Sequence, residues 1–175
     1  MPDRRPLKRF SKASWQALIA ESPAPANQRI MEGVVAGCAI VAYADGWVTH
    51  NERQRMAGLI RGFEPMADFG LDDVLGYFEE ITARFADVHE VGEREALAVL
   101  ARLKGEKRFS PLLVETCCAI AAADGGFDAD EREAVIRICE VLGLDPADFD
   151  PTDALSDRRC IPSMKYPPAI ARKGV

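Results

Sequence analysis

Ala44-Asp45-Gly46-Trp47-Val48-Thr49-His50-Asn51-Glu52-Arg53 recurs, 79 residues on, as Ala123-Asp124-Gly125-Gly126-Phe127-Asp128-Ala129-Asp130-Glu131-Arg132. The shared pattern is Ala-Asp-Gly, one residue, an apolar residue, three residues, then Glu-Arg. Each copy follows an Ala-rich apolar run and precedes a pattern of helical period. Each therefore reads as the turn between two helices. Gly46 and Gly125 supply left-handed helix ends. Thr49 with Glu52, and Asp128 with Glu131, are spaced as capping boxes for the helix that follows. Capping leaves Asp45 and Asp124 over, since an acid at a helix C-terminus opposes the helix dipole. The same unfavourable choice made twice predicts a compensating partner. Asp45 with Glu52, and Asp124 with Glu131, are candidate cation ligands around these turns. Glycine, apolar residue and glutamate also match the second half of an EF-hand loop. Val41, Tyr43, Ile120 and Ala122 stand where its first ligands would be, so a complete EF-hand is not expected.

Outward from the two turns the chain reads as helix throughout. Leu7, Phe10, Trp15, Leu18 and Ile19 form one apolar stripe over residues 7–20, with Arg9, Lys12 and Gln16 opposite. Ser22-Pro23-Ala24-Pro25 reads as a linker. Residues 27–44 are apolar nearly all round, which predicts a central helix. Residues 49–63 form a third. Leu71, Val74, Leu75, Phe78, Ile81 and Phe85 mark a fourth, with Asp72 and Asp73 in its first turn. Residues 93–103 form a fifth. A sixth starts at Ser110-Pro111 and ends near Asp124. A seventh spans residues 128–142 and stops at Gly143, and Asp145-Pro146 opens a last turn. No segment alternates with period two. The expected fold is all-α, a single compact bundle of about seven helices containing two pseudo-repeated helix-turn-helix units. The two Ala-rich helices that lead into the repeated turns are expected to pack on each other. The expected organisation is a basic amphipathic N-terminal helix and linker over 1–26, a helical domain over 27–150, and a Pro-containing basic tail over 151–175.

Composition narrows the function. With 175 residues, 48% of them apolar, the chain can build one core. It has no run of 18 apolar residues and no secretory signal, which predicts a cytoplasmic protein. The net charge of −6 conceals +4 over residues 1–20 and +3 over 151–175, leaving −13 between them. An acidic middle fits cations or basic partners and argues against nucleic acid. The basic helix near the N-terminus can dock on its own domain or lie on an anionic membrane, and docking is the expectation. Cys38, Cys117, Cys118 and Cys139 fall in apolar helical runs and form no CxxC pair, so they are expected as reduced core residues. The competing reading is a thiol-based redox or metalloid-handling protein, which requires an exposed thiol of low pKa. His50 and His89 are the two histidines. No HExxH, P-loop, nucleophile elbow or Cys/His dyad occurs, and no enzymatic activity is expected.

Several motifs in fixed order carry a family resemblance. Residues 30–39 (Ile30 to Ala39) with the Asp45-Gly46 turn, Leu71-Asp72-Asp73-Val74-Leu75-Gly76-Tyr77-Phe78, Ala101-Arg102-Leu103-Lys104, the second turn, and Leu142 to Phe149 resemble the tellurite resistance protein TerB family. The resemblance covers about residues 10–150, and related domains occur in DjlA-type co-chaperones. It implies an all-α fold and an accessory role in a tellurite and stress resistance system. The implied partners are TerC-like membrane proteins and TerD-like calcium-binding proteins, met as a cytoplasmic interaction module at the inner membrane face. It also implies divalent metal (Ca²⁺, Mg²⁺ or Mn²⁺) at acidic positions, here Asp45, Glu52, Asp124, Asp128 and Glu131, with Asp72 and Asp73 as weaker additions. Peripheral membrane contact through residues 4–20 is the alternative to that docking, and it gains weight from the membrane-protein partner that the resemblance implies. The tail after Phe149 extends past the point where shorter members end.

Overall fold

A computed structural model of the chain describes residues 12–46, 69–122 and 128–149, together with positions 50, 54, 57, 58, 60 and 61. Among the described residues there are six α-helices, one 3-10 turn and no strand. The helices are α1 (Lys12–Glu21), α2 (Ala24–Ala42), α3 (Leu71–Asp87), α4 (His89–Ala101), α5 (Ser110–Ala122) and α6 (Ala129–Leu142), followed by a 3-10 turn at Pro146–Asp148. The helix expected over residues 49–63 lies mostly outside the described residues. The described positions within it, such as His50, Gln54 and Ile60, are helical. No described helix is long and apolar enough to cross a membrane.

The fold is built around α2. Ile30, Met31 and every residue from Gly33 to Val41 are buried, as the lack of a polar face requires. Helices α3, α4, α5 and α6 all pack against it. Two glycines set the closest approach. A Cβ on Gly33 would collide with Leu103 Cδ1, and one on Gly37 would lie 2.7 Å from Cys117 Sγ. Residues 33 and 37 thus meet residues 109–113 and 113–117 in ascending order. The two Ala-rich helices are in contact, as expected, and they run parallel. A third glycine, Gly92, joins α4 to α3, where its Cβ would come 2.6 Å from the backbone N and Cα of Phe85.

Helix α2 begins at Ala24, within the stretch read as a linker. Pro23 occupies the cap and Pro25 the first turn, where a proline forfeits no intrahelical hydrogen bond and its fixed φ favours the helix. Helix α4 begins four residues before the expected position 93, because Val88 turns extended (φ −143°, ψ 106°) and restarts the chain directly after α3.

Helix α1 docks on the bundle. Trp15 is fully buried and Leu18 nearly so. The Trp15 ring meets Phe109 edge-on at 5.5 Å, Asn27 Nδ2 donates to Ile19 O at 3.2 Å, and Arg108 Nη1 pairs with Glu21 Oε2 at 2.7 Å.

Candidate functional site: the acidic junction end

The two repeated turns leave α2 and α5, and these helices are parallel, so both turns depart from the same end of the bundle. At the first, α2 closes through Tyr43, whose N–H donates to Ala39 O at 3.0 Å. The Tyr43 ring is buried and stacked on Phe85 at 4.8 Å, and Phe85 in turn meets the His89 ring edge-on at 5.5 Å. Gly46 takes the expected left-handed conformation (φ 80°), and its N–H donates to Tyr43 O at 2.9 Å. An aromatic anchor and a left-handed glycine therefore flank Asp45, which is exposed. The rest of this junction, Glu52 included, lies outside the described residues.

At the second junction the expected capping box is present. Asp128 Oδ1 accepts from Glu131 N–H at 2.9 Å, and Glu131 Oε2 accepts from Asp128 N–H at 2.9 Å. Asp130 adds an exposed acid to the same turn, where the helix dipole favours it. Asp124 lies outside the described residues, two positions past the end of α5. The described candidates thus divide by role. Asp128 and Glu131 are engaged in capping, and Asp45 is presented at the surface of the other turn. Among the described residues no three His, Cys, Asp or Glu side chains converge into a group able to hold a metal ion. Asp72 and Asp73 are exposed in the first turn of α3, after a left-handed Gly70 (φ 87°).

The four described thiols lie inside. Cys38, Cys117, Cys118 and Cys139 are reduced and buried. A hydrogen bond to Cys38, with burial second, holds the Cys117 thiol well above its ordinary range. Burial, with the acids Asp145, Asp148 and Glu140 adding to it, pushes Cys139 up to about 12. A thiol kept protonated and away from solvent is a poor nucleophile and a poor ligand. These four residues therefore do not supply the exposed, low-pKa thiol that the redox reading requires. The Cys38–Cys117 pairing joins α2 to α5 across 79 residues, the same offset that separates the two repeated turns.

Two further polar groupings were not apparent from sequence. Arg137 Nε on α6 pairs with Glu93 Oε1 on α4 at 2.8 Å, while its Nη1 reaches Glu133 at 3.4 Å. The second contact is an i, i+4 pair visible in the sequence, whereas the first depends on two helices meeting. Half-buried Tyr77 has its pKa raised, first by burial and then by Glu32 and Glu80.

An all-α bundle with a buried Ala-rich central helix and acidic turns of this form is a recognisable class. The chain belongs to the TerB family: the family model described as Tellurite resistance protein TerB matches residues 31–154. A Tellurium resistance protein TerB from Alcaligenes sp is 30% identical over 86 residues, covering 49% of this chain and 70% of that protein. No solved structure matches the chain. The family match starts inside α2, so α1, with its buried Trp15, lies before it.

Proposed function

We propose that this chain is an accessory component of tellurite resistance that works by contact with partners through its acidic junction end, and that divalent cations tune that end. Family membership is the observation that carries the reading. The burial of the thiols Cys38, Cys117, Cys118 and Cys139 supports it over thiol chemistry on the metalloid. The TerC-like membrane proteins and TerD-like proteins implied by the resemblance are the proposed partners. The proposed cation ligands are Asp45, Glu52, Asp124, Asp128 and Glu131. For Asp128 and Glu131 this role is secondary to capping, which leaves each carboxylate acceptor capacity to spare. Few carboxylates per turn and oxygen donors alone favour Ca²⁺, Mg²⁺ or Mn²⁺ over Zn²⁺, with Kd of about 10⁻⁵ to 10⁻³ M.

Calorimetric titration of the intact chain with each of the four ions tests this. The expected result is weak binding of the hard cations that disappears in the Asp45→Asn, Asp124→Asn double variant. A flat titration up to millimolar ion reduces the turns to helix caps.

A further inference from the structure

We draw no further inference here: the strongest candidate, the tip between α3 and α4 where Asp87, Val88 and Glu90 are exposed beside the Tyr43–Phe85 stack, belongs to the acidic junction end already described, and nothing in the structure shows what covers its one exposed valine.

Discussion

Asp128 and Glu131 each hold the other's backbone N–H at 2.9 Å, so the second repeated turn is first of all a helix start. Asp128→Ala should cost about 1 kcal/mol in urea unfolding, the usual loss for an N-cap. Asp128→Asn, which keeps a capping oxygen, should cost much less. A cation ligand would instead show an ion-dependent difference between these two variants. The thiols allow a separate check. Cys139 has its folded pKa raised from 9.0 to about 12, so between those values the folded chain keeps a proton that the unfolded chain has released. The stabilisation is fully present below pH 9 and is lost as the pH rises through 12. Alkaline melts should record that fall. At pH 8, thiol reagents followed by peptide mapping should leave Cys38, Cys117, Cys118 and Cys139 unmodified until the chain is unfolded. Rapid native labelling of any of them would revive the redox reading.

Between elements, three glycines permit contacts that a methyl group would prevent. Gly92 faces the backbone of Phe85, and backbone cannot swing aside as a side-chain tip can. Gly92→Ala should therefore separate α3 from α4 and destabilise by about 1–3 kcal/mol or more. Gly76 lies on the exposed face of α3 with nothing within 4 Å of its would-be Cβ. Gly76→Ala should stabilise by roughly 0.5–1 kcal/mol through helix propensity alone. The two substitutions are chemically identical and opposite in sign, and paired thermal melts would reveal a wrong account of the α3–α4 contact. Gly33 and Gly37 do the same for α2 and α5, bringing Cys117 beside Cys38. The parallel course of those two helices is what gathers both acidic turns at one end.

For the molecule as a whole, α1 belongs to the core although it precedes the family match. Trp15 is fully buried against Phe109, so Trp15→Ala should cost about 3–5 kcal/mol, and removal of residues 1–21 should lower stability by at least as much. Equal melting of the full and shortened chains would show α1 to be an appendage.

The all-helical class and the order of the helices, the capping box at Asp128, the left-handed Gly46 and Gly143, and the burial of α2 are legible in the sequence by itself. They depend on residues within four positions of one another, and local periodicity records such interactions directly. The repeated acidic phrase and the family motifs were legible for the same reason. Helix α2 starts inside the stretch expected as a linker, because a proline breaks a helix interior but suits its first turn, and Pro23 and Pro25 sit there. Tertiary structure alone decided that α2 and α5 run parallel, that Cys38 meets Cys117, that Trp15 packs on Phe109, and that Arg137 on α6 pairs with Glu93 on α4. Each of these contacts joins residues far apart in the chain, and their energy comes from shape and burial shared between elements, which no local window of sequence contains.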